Sequence, residues 1–186
     1  MAMHDKYFTF WPRFWAGLLD LFVLFPVTLL DYWFWRQPAS TELRATWLVF
    51  VAVSAPLYRI LLHGLTGQTV GKRALDIRVL DVSGSPLSLR QAILRDLPWL
   101  AYTAWVLALS LPRVLDGLGP SQVLLAGLHW PVRIMVTFIL VELVTTLANA
   151  KRRAVHDFLA GSVVTRLRKP GLAPVRADRV FGGETC

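Results

Sequence analysis

Cysteine is nearly absent from this chain of 186 residues, because its single copy, Cys186, is the last residue. One cysteine cannot form an intrachain disulfide, which excludes a disulfide-stabilised scaffold. Its position also argues against prenylation, which requires a cysteine four residues from the end. Charged residues are scarce too, at 17% against about 25% in an average soluble domain. The four histidines have no metal-ligand spacing, so we predict no metal and no cofactor.

Apolar residues are abundant instead. They make up 55% of the chain and include eight tryptophans and ten phenylalanines. A chain of this size cannot bury so much apolar surface in its own core, so the excess must face lipid or a partner. The formal net charge is +8, but the basic residues lie between the apolar stretches and form no aromatic stacking platform. We therefore predict a lipid bilayer as the surroundings and no nucleic-acid partner.

Four apolar stretches approach the length of about 20 residues that a membrane-spanning helix needs. They cover about residues 14–35, 45–62, 97–115 and 131–150, with a polar loop at 63–96. The pattern predicts an all-α membrane protein, a four-transmembrane-helix bundle, formed by residues 1–168. Residues 121–130 are also apolar and fit either an interfacial segment or an extension of span four. The tail at 169–186 has Pro, Gly and charge without periodicity, which indicates disorder.

The distribution of basic residues predicts the orientation. The N-terminal segment carries two, the loop at 63–96 five and the chain after span four eight, whereas the opposite side carries three. Positive charge accumulates on the cytoplasmic side of short loops. We therefore expect a multi-pass protein of a bacterial plasma (inner) membrane with both termini in the cytoplasm. The first stretch is long and is interrupted by Asp20, which argues against a cleaved signal peptide.

The polar loop predicts a small β element. Leu75, Ile77 and Val79 alternate with Asp76 and Arg78, as in a half-exposed strand. The segment SVVTRL at residues 162–167 is rich in β-branched residues, and we expect it to pair with that strand on the cytoplasmic side. Ser88 is a helix-capping residue, which predicts a short amphipathic helix from there to Asp96.

Ionisable residues inside the predicted spans are the candidates for function, because charge is costly in a membrane. Asp20, Arg59 and Glu142 fall at similar depths in spans one, two and four, so we expect them to meet. Thr145 and Asn149 follow Glu142 at helical spacing and extend the same polar face. This network fits either an ion-binding site or a structural set of ion pairs that fixes the packing of the helices.

Two other motifs are weak. The segment GQTVGKR at residues 67–73 is one residue short of a phosphate-binding loop, and Arg73 replaces the required Ser or Thr. His156 and Asp157 are adjacent on a helix and should point apart, and no nucleophile accompanies them. We therefore expect no enzymatic activity.

Three blocks resemble the RDD family of small integral membrane proteins. They are RFWAGLLD at residues 13–20, the GQTVGKR segment with the sequence after it to residue 96, and KRRAVHDFLAGSVV at residues 151–164. The family is named for one arginine and two aspartates, which the resemblance assigns to Arg13, Asp20 and Asp157. Ion or solute transport, including sodium/proton exchange, has been proposed for some members. Others carry the domain attached to further domains, which suggests an accessory role.

Arg13 and Asp157 both fall at the cytoplasmic boundary, so an ion pair between them would tie spans one and four together and dock the small sheet beneath the bundle. Two functional hypotheses follow. In the first, the protein binds or transports a proton or a monovalent cation such as sodium through buried carboxylates, as a homo-oligomer. In the second, it is a non-transporting accessory or scaffold subunit that recruits a membrane-protein partner or anionic lipid on its basic cytoplasmic face.

Overall fold

The computed structural model describes residues 9–119, 129–148 and 153–167. Its elements are, in chain order, α1 (Phe10–Phe34), α2 (Thr41–Thr66), α3 (Val70–Ala74), β1 (Ile77–Asp81), α4 (Leu89–Leu115), α5 (His129–Ala148), α6 (Val155–Leu159) and β2 (Ser162–Arg166). The protein is thus mostly helical. The predicted tail at 169–186, most of the 121–130 segment and Asn149 lie outside the described residues.

Within the described residues, α1 and α2 are long and apolar enough to cross a membrane, by length and composition. Few of their apolar side chains are buried, and many are exposed, including Phe22, Leu29 and Phe50. Exposure of this kind distinguishes them from the core helices of a soluble protein, which bury such residues. The less exposed side of α1 is marked by Arg13, Ala16 and Asp20. Gly17, one residue after Ala16, lies on the exposed side of the helix.

The predicted amphipathic helix and span three form one helix. α4 begins at Leu89 and continues without interruption to Leu115. Ser88 caps it as expected, since its hydroxyl accepts from the Gln91 N–H while the Gln91 side chain accepts from the Ser88 N–H. A break at Asp96 was wrong, because Pro98 is accommodated within the helix. The most extensive contact between helices is the one between α2 and α4.

The predicted small sheet is confirmed. β1 and β2 pair antiparallel, with Val79 opposite Val164. The buried apolar core lies around this sheet rather than between the long helices, and comprises Ala16, Ile77, Val79, Leu87, Ala92 and Val164. We call this part of the molecule the sheet end. It gathers the beginning of α1, the end of α2 and the beginning of α4 around β1 and β2.

The GQTVGKR segment has a structural role at the sheet end. Gly67 ends α2 in the left-handed conformation (φ +71°), which favours glycine, and its carbonyl accepts from the Val79 N–H at 2.8 Å. The Gln68 side chain donates to the Ile77 carbonyl at 2.9 Å. Thr69 caps α3, and Gly71 packs directly on the Ala16 backbone. These contacts fasten the segment to α1 and to β1.

Candidate functional site

Asp20 anchors α3 to α1. One of its carboxylate oxygens accepts from the Tyr58 hydroxyl at 2.7 Å and from the Gly71 N–H at 2.8 Å, and the other accepts from the Thr69 hydroxyl at 2.6 Å. Three donors from two other segments therefore converge on one carboxylate. The sequence predicted that Asp20 would meet Arg59 and Glu142, and it gave no sign that its partners would be neutral donors.

Asp20→Asn is expected to destabilise the protein by about 1–2 kcal/mol, because an amide has one acceptor oxygen in place of two and leaves a partly buried donor unpaired. Thermal unfolding of the detergent-solubilised full chain measures this. Asp116→Asn is the matched control, since Asp116 is exposed at the end of α4, and its effect should stay within about 0.5 kcal/mol. Equal effects of the two changes would contradict the anchoring role.

Arg59 pairs with Asp96 rather than with Asp20 or Glu142. Its Nε and Nη2 atoms donate to the two Asp96 oxygens at 2.7 and 3.0 Å, a bidentate geometry. The guanidinium also lies 5.5 Å from the centre of the Trp99 ring. Because α2 packs along α4, the nearest carboxylate to Arg59 comes from α4. The prediction that Arg59 would meet Asp20 and Glu142 was therefore wrong, because Arg59 binds Asp96 instead.

Asp31 forms a separate contact near the opposite end of α1. A single oxygen of Asp31 accepts from the indole N–H groups of Trp35 at 3.0 Å and Trp47 at 2.9 Å. This joins α1 to α2, and the Trp47 ring stacks on Phe34 with 4.6 Å between ring centres. Asp31 is thus a partly buried carboxylate with neutral partners, remote from the sheet end.

Asp157 is the centre of an ion-pair network at the sheet end. Its carboxylate is fully buried and binds Arg13 Nη1 at 2.5 Å and Arg95 Nη2 at 2.8 Å. It also accepts from the Ala154 N–H at 3.1 Å and the Ser162 hydroxyl at 3.3 Å. The pair expected between Arg13 and Asp157 is present, and it ties α1 to α6 and β2. Arg95 is a partner that the sequence did not reveal.

The charge of Asp157 is fixed by these partners. Burial by itself would raise the pKa of the carboxyl, but the positive charges of Arg95 and Arg13 outweigh burial and hold that pKa well below its usual range. Asp157 is therefore ionised at any physiological pH. It serves as the fixed negative charge of the network.

Glu142 joins the network through His156. One Glu142 oxygen lies 2.6 Å from His156 Nδ1, and the other accepts from the His156 backbone N–H at 3.1 Å. On the far side of the ring, His156 Nε2 lies 3.1 Å from Arg95 Nη2 and 3.5 Å from Asp157. Arginine only donates hydrogen bonds, so Nε2 is the accepting nitrogen. A neutral ring then carries its proton on Nδ1, the nitrogen that lies nearest to the Glu142 carboxylate.

Adjacent residues on a helix were expected to point apart, and this argument failed for His156 and Asp157. Arg95 approaches from α4 and contacts both side chains with the same nitrogen. Thr145, by contrast, bonds within its own helix, since its hydroxyl donates to the Val141 carbonyl at 2.8 Å. Thr145 therefore does not reach the Glu142 carboxylate.

A second histidine pairs with a lysine nearby. His63, at the end of α2, is buried, and its Nε2 lies 2.6 Å from the Lys72 ammonium nitrogen. Burial, together with the positive charge of Arg95, lowers the pKa of Lys72 well below its ordinary value. We call the seven residues of this region the charged cluster: Arg13, His63, Lys72, Arg95, Glu142, His156 and Asp157. Six helices contribute to it.

The charged cluster contains histidine, lysine and carboxylate side chains, which are residue types that can bind protons. In the described residues, no group of three or more His, Cys, Asp or Glu side chains has a metal-binding arrangement. An apolar cavity of about 230 Å³ lies between α4 and α5, lined by Trp99, Trp105 and Phe138 among others. Its lining includes no acidic or basic side chain and no residue of the charged cluster.

Comparison with known proteins supports the resemblance noted from the sequence. The model of the RDD family matches residues 7–161. A protein of Bacillus subtilis (strain 168), named uncharacterized protein YckC, is 27% identical over 175 residues, which cover 91% of this chain and 90% of that protein. No solved structure matches.

Proposed function

Since this chain belongs to the RDD family, we propose that it is a multi-pass membrane protein that binds and releases a proton through the charged cluster. The proposal follows from one contact above all. The Glu142 carboxylate, from the long helix α5, lies 2.6 Å from Nδ1 of His156, whose other nitrogen contacts the Arg95–Asp157 ion pair. An imidazole with a carboxylate beside one nitrogen and an arginine–aspartate ion pair beside the other is a chemical arrangement that supports proton exchange.

We propose four membrane spans, formed by α1, α2, α4 and α5. At about 1.5 Å per residue, the 27 residues of α4 and the 20 residues of α5 give lengths of about 40 Å and 30 Å, against a hydrocarbon core of about 30 Å. An even number of spans puts both termini on one side of the membrane. The excess of basic residues at the sheet end favours the cytoplasm, and hence the inner membrane.

Proton movement across such a protein needs a path beyond the cluster. Four helices enclose little space, and most of α1 is exposed in the single chain. We therefore propose that copies of the chain associate in the bilayer and that the path runs beside Glu142. The proposal assigns no chemical reaction on a substrate and hence no enzymatic activity.

Glu142→Gln should abolish proton flux, because the amide can neither accept the His156 proton nor carry charge. The purified protein is reconstituted in liposomes containing a pH-sensitive dye, and the decay of an imposed pH gradient is followed with and without sodium or potassium. Acceleration of that decay by one of these cations would identify an exchanged ion. We expect wild-type liposomes to lose the gradient and the variant to retain it as protein-free liposomes do.

Asp31→Asn is the matched control for this experiment. Asp31 is also a partly buried carboxylate on a long helix, but its partners are two indoles at the opposite end of α1. Flux should survive this change. Flux that is absent from the wild type, or that is equal in Glu142→Gln, would contradict the proposed function.

A second candidate function is that of an accessory subunit. Arg73, Arg90 and Arg166 all have exposed side chains at the sheet end, outside the ion pairs of the cluster. Exposed arginines beside a membrane attract anionic lipid or an acidic partner. A stoichiometric partner that co-purifies with the wild type and is lost when these three are changed to glutamine would favour this candidate over proton exchange.

A further inference from the structure

The two histidines of the charged cluster are bonded in the same way. In each ring, Nε2 accepts from a basic side chain: His156 from Arg95 at 3.1 Å and His63 from Lys72 at 2.6 Å. The two bases differ chemically. A guanidinium does not lose its proton in proteins, whereas an ammonium group does when it is buried. Of these two pairs, the one with Lys72 can therefore release a proton to its histidine.

The surroundings of this pair oppose a second positive charge. His63 is 4% exposed, so a charged imidazole there would lose most of its hydration. The charged and titratable groups that face the pair come from four helices: Arg13 and Asp20 from α1, Arg59 from α2, Arg95 from α4, and His156 and Asp157 from α6. Three are arginines, and the two aspartates are already bound by other donors.

We propose that Lys72 and His63 share one proton and form a second proton-binding site, distinct from the Glu142–His156 pair. The proton moves between Lys72 Nζ and His63 Nε2 over a 2.6 Å separation, and the pair is either loaded with it or empty. Loss of the proton removes one positive charge from beside Arg95 and Asp157. Because charges in a low-dielectric site interact strongly, the state of this pair changes the cost of placing a proton on His156.

The role of this pair in proton exchange rests on the proposed function, but the sharing of a proton between Lys72 and His63 does not depend on it. Transfer of a proton between two nitrogen atoms 2.6 Å apart needs no further reactant. Burial and the positive charge of Arg95 lower the pKa of Lys72, so its ammonium group gives up a proton more readily than a free lysine does.

Nitrogen NMR of the ring atoms tests the pair directly. The full chain is labelled with ¹⁵N-histidine, placed in nanodiscs and titrated from neutral to alkaline pH, and the His63 signals are assigned by their loss in His63→Gln. We expect Nε2 of His63 to be unprotonated at neutral pH and its resonance to shift as Lys72 releases its proton. The midpoint should lie below about 10.4, the value for a free lysine.

Lys72→Arg is the matched variant. It keeps the positive charge and a donor, but arginine stays protonated over the whole range, so the shift of the His63 resonance should disappear. Lys72→Gln, which removes the charge, should remove the same shift and guards against a folding defect specific to arginine. An identical titration in wild type and Lys72→Arg, or no shift in the wild type, would overturn the proposal.

The outcome is separable from that of the flux experiment. A titrating His63–Lys72 pair in a protein that moves no protons across liposomes would leave the pair intact and refute the proposed function. Flux that depends on Glu142, together with a His63 resonance that is unaffected by changes at Lys72, would support the proposed function. The same result would refute the shared proton of Lys72 and His63.

Discussion

Asp157→Asn is expected to lower the free energy of unfolding by about 3–5 kcal/mol, the usual cost of removing one partner from a buried ion pair. Two guanidinium groups lose their counter-charge at once, because Arg13 and Arg95 both bind this carboxylate. The Ala154 N–H and the Ser162 hydroxyl also lose part of their acceptor. Thermal or denaturant unfolding of the full chain in detergent measures the loss.

The pH dependence gives a second measure of the same interaction. The pKa of Asp157 is lowered in the folded protein by Arg95 and Arg13 against the effect of burial. A group with a lowered folded-state pKa contributes stability above its unfolded value of about 3.9 and loses it as the pH falls further. The stabilities of wild type and Asp157→Asn should therefore differ fully at neutral pH and converge in acid below about pH 4.

A double-mutant cycle provides the control. Arg13→Met combined with Asp157→Asn should be less destabilising than the sum of the two single changes, because they remove the same ion pair. Strict additivity, or a pH-independent difference between wild type and Asp157→Asn, would contradict the central role of this carboxylate.

Gly71→Ala is expected to destabilise the protein by about 3 kcal/mol, at the upper end of the range for overpacking. A methyl group at this position overlaps the carbonyl oxygen of Ala16 and comes within 3.0 Å of an Asp20 oxygen. The obstacle is backbone, which cannot rotate away as a side chain does. α3 must therefore move off α1, and the N–H bond from Gly71 to Asp20 is then lost.

Gly17→Ala is the control for this substitution. Gly17 lies one residue after Ala16 on the same helix, and nothing is within 4 Å of its added methyl group. Alanine favours a helix over glycine by about 1 kcal/mol, so this variant should be neutral or slightly more stable. Similar unfolding temperatures for the two variants would show that the close approach of α3 to α1 is not needed.

The sequence predicted the local structure well, for a physical reason. Helix length, strand alternation and capping depend on residues close together in the chain. The periods of α1 and α2, the alternation in β1 and the Ser88 cap were all readable in this way. The boundary between the amphipathic helix and span three was not, because polarity changes at Asp96 while the backbone remains helical to Leu115.

The candidate site was predicted in part. Arg13 and Asp157 were found together through their resemblance to a family motif, and the structure joins them directly. Glu142 was singled out as an ionisable group in an apolar helix, and the structure places it against His156 rather than Asp20 or Arg59. Lys72, His63 and Arg95 were read as loop charges or scattered residues. The sequence held one indication that Arg95 is buried. It follows the apolar residues Ile93 and Leu94, close to the start of the long apolar stretch of α4.

What the sequence alone determined is that apolar helices of membrane-spanning length alternate with a basic, partly β-structured loop. Composition and periodicity are additive along the chain and need no knowledge of neighbours. What tertiary structure decided is which charges meet. α2 lies against α4, so Arg59 binds Asp96, and α6 folds back beside α5 and α4, so His156 lies between Glu142 and Arg95. An ion pair depends on two positions in space, and sequence spacing fixes only one helix at a time.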